Sequence, residues 1–191
     1  MKIYDITQEL FGCCVYPGDP APEREQLQSI ARGDLYNLSR LSLCAHNGTH
    51  IDAPYHFLEN GKTVDQIALE KCIGKAVVAS CDGEPDPVWL EALLQNSPKK
   101  ILFKGKTVVS MEAAQLMNRY GVELVGVESQ TVGPEDAPMA VHLELLGREV
   151  VLLEGIRLHE VPEGEYLLCA APLCLGGADG APCRAVLIET V

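Results

Sequence analysis

A chain of 191 residues, 47% of them hydrophobic, is long enough for one domain with its own buried core. Its formal net charge of -12, with no Lys/Arg-rich run, argues against a nucleic acid or an anionic membrane as partner. No apolar stretch approaches the ~18–20 residues that span a bilayer. The opening MKIYDITQEL lacks a basic segment followed by an apolar one, so it does not read as a signal peptide. The eight cysteines form no CxxC pair and are expected as buried, inert thiols in a reducing cytoplasm.

In chain order, Ile3 to Leu10 reads as a strand, followed by a Gly/Pro-rich loop at Tyr16-Pro17-Gly18-Asp19-Pro20. Leu38 to Leu43 alternates apolar and polar residues, as a strand does. Further strands are expected at Lys75 to Ser80, Lys99 to Phe103, Glu123 to Val127, Val150 to Leu153, Tyr166 to Ala170 and Ala185 to Ile188. Asp86-Pro87 supplies an N-cap and a first-turn proline for a helix to about Gln95. Ser110 caps a second helix that stops at Gly121, and Pro138 to Leu146 forms a third. Strands interleaved with short helices predict a mixed α/β class, with residues 1–191 as a single domain.

The informative stretch runs from Cys44 to Phe57, where His46, His50, Asp52 and His56 fall within eleven residues. His46 and His50 have helical i,i+4 spacing, but Pro54 would clash with the carbonyl of His50, and Asn47-Gly48 signals a turn. An extended segment fits better: His50 and Asp52 then share one face, and the turn could fold His46 back towards them. Two imidazoles and a carboxylate match the first shell of catalytic zinc, and manganese or iron(II) accept the same donors.

The pattern His46-x-Gly48-Thr49-His50-x-Asp52-x-Pro54-x-His56 resembles the motif of the cyclase-like metal-dependent hydrolases, a family that includes bacterial kynurenine formamidases. The resemblance extends through Tyr16-Pro17-Gly18-Asp19, His142 before Leu145-Leu146-Gly147, Glu154 after an apolar strand, and Gly177 to Pro182. It implies a swivelling β/β/α fold and a homo-oligomer, a dimer or tetramer. It also implies two divalent ions, zinc first and manganese as the alternative. His46, His50 and Asp52 would hold one ion, with Asp52 bridging to a second; His142 would bind the second and Glu154 would bridge both. His56 is similar to the family's acid/base residue, and Tyr16 would lie against the substrate. On spacing alone, His142 would pass for a surface histidine and Glu154 for a solvated strand end.

The activity so implied is cleavage of an amide C–N bond by metal-bound hydroxide, in an N-formyl aryl amine such as N-formylkynurenine, with His56 delivering a proton to the leaving nitrogen. A cyclic amide such as isatin, or a carbamate, would use the same site. The chain departs from the family pattern in having Tyr16 in place of Trp and Gly133-Pro134 in place of Asp-Pro. A non-catalytic metal-binding protein is the alternative from another class; structural zinc sites usually have four protein ligands, often cysteines.

Overall fold

A computed structural model describes residues 1–189. The elements in its first half are β1 (Ile3–Asp5), β2 (Glu23–Gln28), β3 (Leu38–Ser42), β4 (His50–Asp52), α1 (Leu69–Cys72), β5 (Ile73–Ser80) and α2 (Pro87–Asn96). There follow β6 (Lys100–Lys104), α3 (Met111–Arg119), β7 (Leu124–Val127), α4 (Met139–Leu146), β8 (Val151–Glu154), β9 (Gly164–Cys169), β10 (Gly180–Pro182) and β11 (Val186–Ile188). The mixed α/β class expected from the sequence is present.

Nine strands form one sheet in the order β1-β11-β9-β5-β6-β7-β8-β4-β10. The central four, β5 to β8, run parallel, and α2, α3 and α4 lie in the connections between them. Antiparallel strands extend the sheet on both sides. β10 and β11 stand seven strand positions apart, yet only Cys183, Arg184 and Ala185 join them. In a flat sheet they would lie about 33 Å apart at ~4.8 Å per strand. The connector reaches only about 14 Å. The sheet must therefore curl.

Curling creates two apolar layers. On one face the sheet packs on itself, with Ile51, Leu102, Leu153, Tyr166 and Leu187 in one buried cluster. On the other, Ile101, Phe103, Val125 and Leu152 pack with Leu90 of α2, Met117 of α3 and Leu145 of α4. The alternation of Ile101, Leu102 and Phe103 between the clusters is the period of two that a strand buried on both sides requires. Burial stabilises each such side chain by about 1.5–3 kcal/mol. The expected caps form: the Asp86 carboxylate accepts from the Trp89 N–H and Ser110 Oγ from the Ala113 N–H.

Three expectations are corrected. The first strand ends at Asp5, because Ile6 and Gln8 turn to bond Ala185, Arg157 and the Thr49 hydroxyl, and the Glu9 carboxylate then accepts from Phe11 and Gly12 in a turn. Glu23–Gln28 is a strand that its charged, unpatterned sequence concealed. It pairs with β3 in a separate hairpin, with most of both strands exposed. Buried thiols describe only Cys72 and Cys183; Cys14 and Cys174 are exposed and the other four lie between. All eight cysteines are free. Among the described residues no helix is long and apolar enough to cross a membrane.

Candidate metal centre

The fold brings distant parts of the chain to one point through strand register. β4 pairs antiparallel with β8 so that His50 lies opposite Glu154. Directly opposed residues share a face, and Asp52, two positions on, shares it too. Ile51, between them, turns to the self-packed core. α4 crosses the same face and contributes His142. His46 stands on the turn before β4. There the Cys44 N–H donates to Asn47 Oδ1, the Asn47 N–H donates to the Cys44 carbonyl, and Gly48 takes φ 66°. Only glycine adopts that conformation without strain. Pro54 starts a single 3-10 turn, Pro54–His56, which carries His56 to the rim.

The resulting distances are short. His46 Nδ1 lies 2.8 Å and His50 Nε2 3.3 Å from Asp52 Oδ1. His142 Nε2 lies 3.6 Å from Asp52 Oδ2 and 3.3 Å from Glu154 Oε1, and His50 Nε2 lies 3.5 Å from Glu154 Oε2. Donor atoms within 4.8 Å of one another form two triads that share Asp52: His46, Asp52 and His56, and His50, Asp52 and Glu154. All five residues expected as ligands therefore meet around one carboxylate. The first triad also includes His56, which the family resemblance sets apart from the ligands.

Each of three imidazoles is held from behind. His50 Nδ1 is 3.0 Å from the Gly48 carbonyl, His142 Nδ1 is 2.9 Å from the Pro138 carbonyl, and His46 Nε2 is 2.8 Å from Asp179 Oδ2. An N–H spent on those oxygens leaves the other ring nitrogen of each histidine, with its lone pair, directed at the carboxylates. That is the outer-shell support that metal-ligating histidines use. Glu154 is steadied in the same way, its Oε1 accepting from the Val132 N–H at 2.7 Å.

Charge points to the same ligand class. Asp52 and Glu154 are 1% and 2% exposed, and among the described residues imidazoles are their only ion-pair partners. Burial alone would lower the pKa of His46, but the Asp52 carboxylate, and then Asp179, outweigh it and push it up to about 9. His50 and His142 are raised against burial in the same way, by Asp52 and Glu154. Burial would raise Asp52, but His46 and His50 hold it well below the ordinary carboxylate range. Two buried carboxylates thus demand positive charge, which protons on the histidines can supply and a divalent cation can supply in their place. The donor set, three oriented imidazoles and two buried carboxylates, fits such an ion.

Beside the cluster opens a cavity of about 240 Å³, lined by His46, His56, Phe57, His142, Tyr16 and Gln130 among others. The Tyr16 hydroxyl donates to the Glu135 carbonyl at 3.0 Å, which holds its ring in the wall. His56 is stacked on His46 with ring centroids 4.0 Å apart, and Phe57 meets it edge-on. Burial lowers the pKa of His56. Sequence reasoning overlooked three contributors. Asp179, 2.8 Å from His46 and 3.4 Å from His56 Nδ1, lies in the Gly177 to Pro182 stretch of the family resemblance but was given no role there. Phe57 supplies an aromatic wall that the 5% aromatic content made hard to anticipate. Gln130 had no signal at all.

Gly155 locks the backbone behind Glu154. It has φ 68°, and a Cβ there would overlap the Gly48 carbonyl and meet Gln8 Nε2 at 2.5 Å. Gly155→Ala is expected to destabilise the chain by about 3 kcal/mol, from left-handed strain and overpacking together. A urea midpoint equal to that of the wild type would contradict this.

The model of the Cyclase family matches residues 4–134. Kynurenine formamidase from Erythrobacter litoralis (strain HTCC2594) is 30% identical over 98% of this chain and 94% of its own length. Among solved structures, a potential metal-dependent hydrolase with cyclase activity is 30% identical with a TM-score of 0.83, covering 97% of this chain and 96% of that one. Isatin hydrolase A from Labrenzia aggregata, bound to benzyl benzoate, shares the fold with a TM-score of 0.84 at 23% identity, over 99% and 94% of the two chains. Motif, sheet and match agree, and the chain belongs to the Cyclase family.

Proposed function

We propose that the protein is a metal-dependent hydrolase of amide C–N bonds, with an N-formyl aryl amine as the leading substrate class. The observation that carries this reading is the convergence of His46, His50, Asp52, His142 and Glu154, each histidine held so that one nitrogen faces the carboxylates. These five would hold one or two divalent ions, zinc first and manganese as the alternative, with Asp52 common to both positions. When bound, such an ion supplies Lewis acidity that polarises a carbonyl and acidifies water. The kynurenine formamidase relative favours the formamide.

The chain's own groups supply the rest. His56 keeps its Nδ1 beside Asp179 and is left with Nε2 for proton exchange. Neutral because burial lowers its pKa, it accepts the proton released as water adds to the amide carbonyl. It then returns that proton to the leaving nitrogen, which would otherwise depart as a poor amine anion. Tyr16 and Phe57 give the substrate ring apolar walls. The hairpin of β2 and β3 leaves Leu35, Tyr36, Leu38 and Leu41 exposed. A two-stranded hairpin is marginal in water by itself, which supports a homo-oligomer in which a second copy covers it.

A hydrolysis screen of formyl-aryl amides, cyclic amides and carbamates, with Zn²⁺ and Mn²⁺ supplied separately, tests this function. Turnover of a formyl-aryl amide that stops on chelation is expected. Bound metal with no turnover across the panel would favour a non-catalytic metal protein.

A further inference from the structure

A second cleft, of about 350 Å³, adjoins the metal-centre cavity and shares Tyr16, Gln130 and Thr131 with it. Its lining also includes Cys14, Val15, Pro17 and Arg157. Arg157 is fixed at both ends. Its backbone N–H donates to the Ile6 carbonyl at 2.9 Å, and its Nη1 donates to the carbonyls of Ile156 at 2.9 Å and Glu128 at 3.1 Å. Those two bonds use both hydrogens of Nη1 and leave the Nε–Nη2 edge of the guanidinium. Nη2 reaches only the Cys14 thiol, 4.0 Å away on an exposed residue. Nε has no partner among the described residues, and it is not one of the chain's sealed polar atoms. No carboxylate pairs with this guanidinium among the described residues, whereas Arg40 and Arg184 each have one. A positioned cation thus faces the cleft with its charge unmatched.

We propose that Arg157 anchors a carboxylate-binding site in this cleft. Nε–H and the neighbouring Nη2–H point the same way, and their spacing matches the two oxygens of a carboxylate. Val15, Tyr16 and Pro17 offer apolar surface to the rest of the ligand, so an organic acid fits better than a bare ion. A dianion is disfavoured, because Glu128 and Glu135 also line the cleft and no second Lys or Arg does. Glu128 competes little for Arg157 itself: its two carboxylate oxygens accept from the N–H groups of Gly105 and Leu158, at 2.7 and 2.8 Å. One negative charge balances the site. Tyr16 belongs to both cavities, so the carboxylate is either an arm of the substrate or a free organic acid bound beside it. The site itself does not depend on the hydrolase reading.

Crystals of the metal-loaded protein soaked with 4-bromobenzoate test this, with bromine located by its anomalous signal. The carboxylate is expected on Nε and Nη2 of Arg157, with the ring against Val15 and Pro17. In solution the Arg157 Nε–H resonance, assigned by its loss in Arg157→Lys, should shift on titration with 4-bromobenzoate. The same shift should need about tenfold more inorganic sulfate. An empty cleft, a ligand found only at the metal centre, a resonance that does not move, or sulfate as effective as the benzoate would overturn the proposal. Two formanilides, with and without a propanoate on the ring, then identify the source. A KM raised by Arg157→Lys for the acid alone assigns the carboxylate to the substrate, and two unchanged KM values assign it to a free acid. No turnover of either would count against the hydrolase reading and leave the site seen in the crystals intact.

Discussion

Asp52→Asn is expected to leave the chain folded but unable to retain divalent metal, and to reduce turnover by about 10³-fold or more, a barrier increase of about 4 kcal/mol. The side chain keeps its shape and loses its charge. Asp52 is the one residue common to both donor triads, with His46 and His50 on one oxygen and His142 on the other. A neutral amide there removes the anion around which any cation would gather. Its NH₂ would also point a donor at nitrogens that must act as lone-pair donors. Metal content by mass spectrometry, alongside circular dichroism to check the fold, reads the two effects separately. Full metal content in a folded Asp52→Asn variant would mean that the carboxylate is not a ligand.

His56→Ala is expected to lower kcat by roughly 10²–10⁴-fold while metal content stays unchanged. The reason is position. His56 lies at the rim, its side chain 28% exposed, stacked on His46 and within reach of the cavity. Among the described residues no backbone carbonyl holds it as those of Gly48 and Pro138 hold His50 and His142; Asp179 lies 3.4 Å from its Nδ1, farther than the 2.8 Å to His46. Yet its ring belongs to a donor triad with His46 and Asp52, so a ligand role is a real competitor. The variant separates them: loss of turnover with metal retained identifies the proton carrier, whereas loss of an ion identifies a ligand.

Much of this was legible in the sequence because it is local. The caps at Asp86 and Ser110, the apolar runs of the parallel strands, and the turn at Asn47-Gly48 are each written within a few residues. The choice of an extended segment over a helix for His46 to Asp52 followed from Pro54 and the Asn47-Gly48 turn, and agrees with β4. What depends on register was not legible. The pairing of His50 with Glu154 arises from two strands about a hundred residues apart, and the family pattern, not periodicity, suggested it. Asp179 reaches His46 from the connection before β10; its stretch resembles the family, but no spacing ties it to His46, and Gln130 lies in a segment bonded to Glu154 that has no local motif. The β2 strand escaped notice for a different reason. Its EREQLQ sequence forms an exposed hairpin, where no buried face imposes an alternating pattern.

Anomalous diffraction from crystals grown with Mn²⁺ tests the metal proposal most directly. A peak is expected about 2.0–2.2 Å from an Asp52 carboxylate oxygen, with His50, Glu154 or His46 completing its shell. A map with no peak at Asp52, or with manganese bound only elsewhere on the chain, would contradict it.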